Sequence, residues 1–243
     1  MAIIVRIPIA RRVNMHKFDL IVQKTKNEYK QFVETNPLLR VVASGGMTRA
    51  HYASYLRETY HLVRHTSRML ALGGARLSDD RRGLRNWFFE QVLEENGHDL
   101  FCIKDLKNIG LDSDFLLNSQ PSAGAWGLIT QNYYMATYGN PVGILGVATA
   151  TEGLGADFGT MFADVMTEQY GIPSNAVTFL RSHGGFDAKH LQEAIEAIEF
   201  VHDNELEYVV HARRMTFRLY GQLFNDVLTA DTADVPPLNS ALA

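Results

Sequence analysis

The most informative stretch of this chain is HGGFDAKH, residues 183–190. It contains two imidazoles and one carboxylate, His183, Asp187 and His190, at separations of four and then three residues. These separations keep side chains on one face of an α-helix. Imidazoles and a carboxylate that converge from one helical face form half of a non-haem metal site. Because the chain has 9 histidines and 27 acidic residues, chance also produces such triplets, and the prediction depends on partner ligands elsewhere.

Three upstream residues can supply those partner ligands. Glu95 and His98 are three residues apart in a segment predicted as helix, and Glu152 lies in the small, apolar segment ATEGLG. A dinuclear iron or manganese site needs bridging carboxylates and neutral imidazoles, and helical bundles supply both from several facing helices. Together with the triplet, these residues give three carboxylates and three imidazoles. That set is enough for two metal ions with positions left for dioxygen and a substrate.

Each candidate ligand also has a structural explanation. Glu95 and His98 lie in a polar run that a solvent-exposed helix face would explain. His183 could cap a glycine turn, and His190 could be a hydrogen-bonded core histidine. Glu152 is harder to explain in this way, because an unpaired buried carboxylate is costly or becomes protonated.

Composition limits the classes of protein that this chain can belong to. Hydrophobic residues make up 46% and charged residues 21%, an ordinary globular balance, and the net charge of −4 makes a nucleic-acid partner unexpected. No stretch is long and apolar enough to span a membrane. A single cysteine, Cys102, excludes an intramolecular disulfide and favours a cytoplasmic location.

Helical periodicity dominates the chain between its two ends, and few segments alternate as β-strands do. Helices are predicted at residues 18–35, 48–72, 79–109, 122–138, 141–171, 176–181, 186–202 and 204–227. Thr48 is a predicted helix cap, and Gly110 is a predicted helix end. No linker or repeat divides these helices. We therefore predict an all-α, single-domain fold at 16–228, with an N-terminal arm at 1–15 and a flexible tail at 229–243.

A second set of residues fits a ferritin-like iron-binding bundle. The spacing Glu-x-x-His occurs at Glu58, Glu95 and Glu199, and ferritin-like di-iron bundles use this spacing. Together with Glu152, these pairs reproduce the ferritin-like order of ligands but leave the triplet at 183–190 without a role. Spacing alone does not separate the two hypotheses.

The segment Glu94-Glu-Asn-Gly-His98, followed by Glu152 and then by the His-x-x-x-Asp-x-x-His triplet, resembles the haem-oxygenase-like di-iron oxidases and oxygenases. Relatives in that superfamily include the alkene-forming fatty-acid decarboxylase and the para-aminobenzoate synthase. The resemblance implies a seven-helix haem-oxygenase-like bundle, a fold shared with the TenA-type thiaminases and the pyrroloquinoline quinone synthase PqqC. It also implies a site for two Fe(II) ions, or alternatively manganese, that activates dioxygen to oxidise or oxygenate a small organic substrate.

The resemblance implies specific ligands in this chain. Carried over position by position, they are Glu95, His98, Glu152, His183, Asp187 and His190. Glu58 matches an additional carboxylate ligand that some relatives bring from an earlier helix. The aromatic residues Tyr133, Tyr134, Tyr138 and Phe158 are candidates to line a substrate pocket. A homodimer is expected by analogy with the fold, and a metal-free TenA- or PqqC-like enzyme is the alternative within it.

Overall fold

The computed structural model describes residues 16–230, and all regular structure in that range is helical. Its α-helices are α1 (Lys17–Thr35), α2 (Pro37–Ser44), α3 (Arg49–Val63), α4 (Thr66–Ala75), α5 (Arg82–Glu94), α6 (Asp99–Asn108), α7 (Asp114–Leu117), α8 (Ala123–Thr137), α9 (Gly143–Glu168), α10 (Thr178–Ile198) and α11 (Leu206–Thr229). The predicted all-α fold is therefore confirmed. The predicted arm at 1–15 and residues 231–243 of the predicted tail lie outside the described residues. Thr229, where the tail was predicted to begin, is the last residue of α11.

The long helix α9 organises the bundle, because it packs extensively against both α10 and α11. Two of its glycines allow these contacts. A Cβ on Gly146 would collide with the backbone of α11 at Val209, and a Cβ on Gly159 would press on the backbone of α10 at Gly184. The close approach brings Glu152 on α9 towards α10, which carries the triplet at 183–190.

Two predicted helices are each divided in the structure. The helix predicted at 48–72 begins as expected after Thr48, whose side chain caps α3, but it is interrupted at Arg64 and His65 before α4. The helix predicted at 79–109 ends at Glu94 and resumes at Asp99. Gly97 lies in this second break with φ of +92°, a left-handed conformation that costs glycine little.

One predicted interruption does not occur. The sequence predicts two separate helices, at 176–181 and 186–202, but in the structure α10 is one continuous helix across Gly184-Gly185. Gly184 has a structural reason to be small, because a Cβ there would collide with Thr160 of α9. The glycine pair therefore marks a helix contact, and the cost of glycine in a helix, about 1 kcal/mol per residue, is offset by packing.

The short helix α2 is an element that was not predicted, although its signals are local. Asn36 accepts hydrogen bonds from the backbone N–H groups of Leu38 and Leu39, and Pro37 occupies the first helical position. Both are common features of a helix N-terminus. No helix of the described chain, 16–230, has the length and apolarity to cross a membrane.

Candidate metal centre

Six of the seven predicted ligands come together at one place in the bundle. Glu95 and His98 extend from the break between α5 and α6, which places them three residues apart across a turn instead of within a helix. Glu152 comes from α9. The triplet His183, Asp187 and His190 comes from one face of α10, as its spacing predicts.

These residues form two groups that share Glu95. Ligand atoms of Glu95, His98 and His183 all lie within 4.8 Å of one another, and so do ligand atoms of Glu95, Glu152 and His190. Glu95 Oε2 lies 3.2 Å from His98 Nδ1, and Glu95 Oε1 lies 3.7 Å from His190 Nδ1. The two oxygens of one carboxylate therefore face different groups. Glu95 is therefore the one residue that belongs to both candidate groups.

The cluster contains an unusual number of buried polar atoms without a hydrogen-bond partner. They are His98 Nδ1, His190 Nδ1, Glu152 Oε2 and Asp187 Oδ1. Buried polar atoms are normally hydrogen-bonded, and a nitrogen lone pair or carboxylate oxygen without a donor suits a cation. The residues therefore fit a metal-binding role on their geometry alone.

His183 is prepared to act as a neutral ligand. Its Nδ1 lies 2.9 Å from the carbonyl oxygen of Phe179, and because a carbonyl only accepts, Nδ1 carries the proton. Nε2 is then the ring nitrogen with a free lone pair. Burial lowers the pKa of His183 to about 4, so the ring is neutral at pH 7. Its stacking on the Phe179 ring, with centroids 4.0 Å apart, fixes the ring plane.

Carboxylates in this cluster repel one another. Burial, followed by the charge and hydrogen bond of Glu152, raises the pKa of Asp187 to about 10. Burial also raises the pKa of Glu152. The chain makes room for this crowding, because a Cβ on Gly155 of α9 would collide with the Asp187 carboxyl group. A bound divalent cation would offset the repulsion.

Sequence reasoning gave no ligand-supporting role to Glu94, which lies on the outer side of the cluster. Its Oε2 is 2.9 Å from His190 Nε2, while the other ring nitrogen, Nδ1, faces Glu95 and Glu152. A carboxylate on the second nitrogen of a ligating histidine fixes the ring orientation. Lys189 holds Glu94 in place through a contact of 2.8 Å. The sequence feature that could have indicated this role is the position of Glu94, directly before the predicted ligand Glu95.

Glu58, the seventh predicted ligand, lies outside both groups. It is fully buried on α3, where one oxygen lies 2.9 Å from Arg57 Nε and the other accepts a hydrogen bond of 2.7 Å from the backbone N–H of Ser122. Glu199 and His202, required by the ferritin-like arrangement, also fall in neither group. They lie beyond the last residue of α10. The structure does not assemble the ferritin-like set.

Four members of the cluster, Glu95, Glu152, His183 and Asp187, line a partly open cavity of about 160 Å³. The rest of its wall is largely apolar and aromatic. Phe158 lines this cavity, as expected of a pocket residue. The other three aromatic candidates, Tyr133, Tyr134 and Tyr138, line a separate groove at the surface.

Cys102 does not have the properties of a nucleophile. It is fully buried on α6, and burial raises the pKa of its thiol well above the usual value. A reactive cysteine needs an accessible thiolate. The thiol therefore belongs to the core.

Comparisons with known proteins identify the family. The profile of a family described as "Iron-containing redox enzyme" matches residues 53–221. The chain belongs to this family. The matched range contains every residue of the cluster. A comparison with curated proteins found no match.

Solved structures confirm the haem-oxygenase-like fold. A domain of unknown function with this fold from Shewanella denitrificans is 26% identical, with a TM-score of 0.79 over 87% of this chain and 92% of that one. A TenA homologue from Pseudomonas syringae is 12% identical, with a TM-score of 0.74 over 88% and 93%. Haem oxygenase-1 from the cyanobacterium Synechocystis, in complex with haem, is 10% identical, with a TM-score of 0.63 over 89% and 96%. The last two likenesses concern the fold alone.

Proposed function

We propose that this iron-containing redox enzyme holds two Fe(II) ions and uses dioxygen to oxidise or oxygenate a small organic substrate. One observation carries the proposal: two groups of ligands share Glu95 and border an apolar cavity. Three carboxylates with three imidazoles suit iron or manganese better than a structural zinc site, which favours four ligands around one ion and is often rich in cysteine.

The two groups assign ligands to each ion. His98, His183 and one oxygen of Glu95 would hold the first, and Glu152, His190 and the other oxygen of Glu95 would hold the second. Asp187, next to the charge of Glu152, is available to either the second ion or the proton balance of the site. When bound, two Fe(II) ions would supply two electrons to dioxygen, and the remaining electrons would come from the organic substrate or an external reductant.

The chain itself contributes orientation, proton control and exclusion of water. The carbonyl of Phe179 fixes the tautomer of His183, and Glu94 lies against the outer nitrogen of His190. The Asp187 carboxyl group holds a proton at neutral pH next to the cavity. Apolar residues over the rest of the cavity wall would limit the access of water to the reacting groups.

Oxygen consumption tests this function. Protein loaded anaerobically with Fe(II) is mixed with dioxygen, and uptake is followed with an oxygen electrode. We expect the wild type to consume dioxygen faster than the same concentration of Fe(II) in buffer. The His183→Ala variant should fall to the buffer rate, while the matched control Glu199→Ala, outside both groups, should behave as wild type. Uptake by the wild type at the buffer rate would contradict the proposal.

A further inference from the structure

Away from the cluster, the wall of this cavity carries no acidic or basic side chain from the part of the chain that the structure describes. Within residues 16–230, its only acidic side chains are the cluster carboxyl groups of Glu95, Glu152 and Asp187, and no lysine or arginine lines it. An anionic group bound away from the metal centre would lose its hydration without gaining a cation, which is strongly unfavourable. The part of a ligand that lies away from the cluster is therefore neutral.

Asn132 on α8 is a polar group on this wall that lacks a partner within the described chain. Its side chain is 4% exposed, and Oδ1 is buried without a hydrogen-bond donor. An unsatisfied buried amide is costly. Because an amide both accepts and donates, Asn132 can bond to a hydroxyl or amide group of a ligand.

The position of Asn132 shows which end of the cavity it occupies. It also lines a narrow crevice, too tight to hold a water molecule, together with His65 and Tyr133, and no cluster residue lines that crevice. His65 and Tyr133 in turn line the open surface groove. His65 Nδ1 and the Tyr133 hydroxyl are hydrogen-bonded at 3.0 Å. Asn132 therefore lies at the end of the cavity nearest the groove, behind this pair.

His65, at the same end of the cavity, does not supply a positive charge. Burial, together with the charges of Arg64 and Arg68, lowers the pKa of His65, so its ring is neutral at pH 7. The volume of the cavity also limits the size of the ligand. An apolar cavity of about 150 Å³ holds one benzene molecule, and this cavity measures about 160 Å³.

We propose that the enzyme acts on a compact neutral molecule, about the size of one substituted ring, whose hydroxyl or amide group bonds to Asn132. The apolar part of this molecule would extend towards the metal cluster. Asn132 would then determine specificity, because a ligand without a hydrogen-bonding group leaves its amide unpaired. The inference rests on the proposed function in treating this ligand as the substrate.

Three probes of matched size test the inference by ¹⁹F NMR titration of the full metal-free chain. They are 4-fluorobenzyl alcohol, 4-fluorotoluene and 4-fluorobenzoate, which carry a hydroxyl, an apolar and an anionic group. In the wild type the alcohol should bind most tightly and the benzoate most weakly. In Asn132→Leu the affinity for the alcohol should fall about three- to tenfold, as expected for one hydrogen bond, while the affinity for fluorotoluene should be kept.

Thr151→Val is the matched control. Thr151 lines the same cavity, but its hydroxyl already bonds to the carbonyl of Val147 at 3.2 Å, so the order of the three affinities should not change. The order of the three probe affinities in the wild type is measured without any variant. It therefore still tests the inference if Asn132→Leu does not fold. Equal affinities, tightest binding of benzoate, or no binding of any probe would overturn the inference.

Iron uptake separates this inference from the proposed function. Asn132→Leu and the wild type are loaded with Fe(II) anaerobically in parallel, and equal iron contents are expected. If iron binds normally and the probe order is wrong, the substrate class fails while the metal centre stands. If no iron binds while the probe order holds, the cavity binds a neutral ligand but the proposed function fails.

Discussion

Glu58 and Glu95 are both buried carboxylates followed three residues later by a histidine, but their surroundings differ. Glu58 lies within the continuous helix α3, and both of its oxygens are occupied, by Arg57 and by the backbone N–H of Ser122. Glu95 lies at the break after α5 and faces the imidazoles of the cluster. The first carboxylate is satisfied by the chain itself, and the second is placed to bind cations.

The histidines of the two pairs differ in the same way. His61 Nε2 is hydrogen-bonded to Ser119 Oγ at 2.8 Å, whereas the buried His98 Nδ1 faces the cluster carboxylate Glu95, whose Oε2 lies 3.2 Å away. Equal spacing therefore serves two purposes in one molecule. The pair at 58 and 61 bonds to residues at and before the N-terminus of α8, and the pair at 95 and 98 belongs to the candidate metal centre.

The largest expected effect follows from the shared carboxylate. Glu95→Ala should abolish tight iron binding, because both groups lose a ligand, whereas His183→Ala and His190→Ala should each retain about one iron per chain. Iron content after anaerobic loading and desalting measures the difference. Glu58→Ala is the comparison variant and should keep the wild-type iron content if folded. If Glu95→Ala kept the full iron content, the Glu95/His98 pair would not differ from the Glu58/His61 pair in iron binding, which would contradict the comparison.

The next effect concerns stability in the Glu58 pair. Glu58→Gln should lower the free energy of unfolding by roughly 1–3 kcal/mol, because the buried partner of Arg57 loses its charge. Iron content should not change. Denaturant titration measures the loss, with the half-exposed Glu199→Gln as control. A loss of iron together with unchanged stability would show that Glu58 is a ligand.

The role of the turn between Glu95 and His98 can be tested by a substitution at Gly97. Gly97→Ala places a Cβ at φ of +92° and should cost about 1–2 kcal/mol of stability. Because Glu95 and His98 flank this turn, iron affinity should fall as well. Gly153→Ala is the control, since Gly153 follows the predicted ligand Glu152 within α9 and a Cβ there meets nothing within 4 Å. Equal behaviour of the two variants would refute the role of the turn.

The smallest predicted effect is a release of protons. The pKa of Asp187 is raised to about 10 in the metal-free protein, so its carboxyl group is protonated at pH 7. A ligating carboxylate is deprotonated, so iron has to displace this proton and iron affinity should rise with pH from about 6 to 8. Titration in weak buffer should show about one proton fewer released by Asp187→Asn than by the wild type. Identical release by both would argue against Asp187 as a ligand.

Sequence reasoning predicted what local spacing determines. The triplet on α10 and the cap at Thr48 depend only on neighbouring residues, and the structure shows both. The surroundings of Glu58 could not be predicted, because Ser122 lies 64 residues away. The continuity of α10 across Gly184 depends on contact with Thr160 of α9, which local propensity does not contain.

The break between α5 and α6 was predictable in part. Asn96-Gly97 is a dipeptide typical of turns, but the apolar periodicity on both sides favoured one long helix. The structure shows that the turn interrupts the helix and still keeps Glu95 and His98 in contact. Helical spacing and a tight turn can bring the same two side chains together, so proximity was predicted correctly from the wrong local structure.

We propose that Glu95 joins two metal sites, and anaerobic calorimetric titration of the wild-type chain with Fe(II) tests this most directly. We predict an end point of about two iron ions per chain. An end point of about one, or no binding by folded protein, would contradict it.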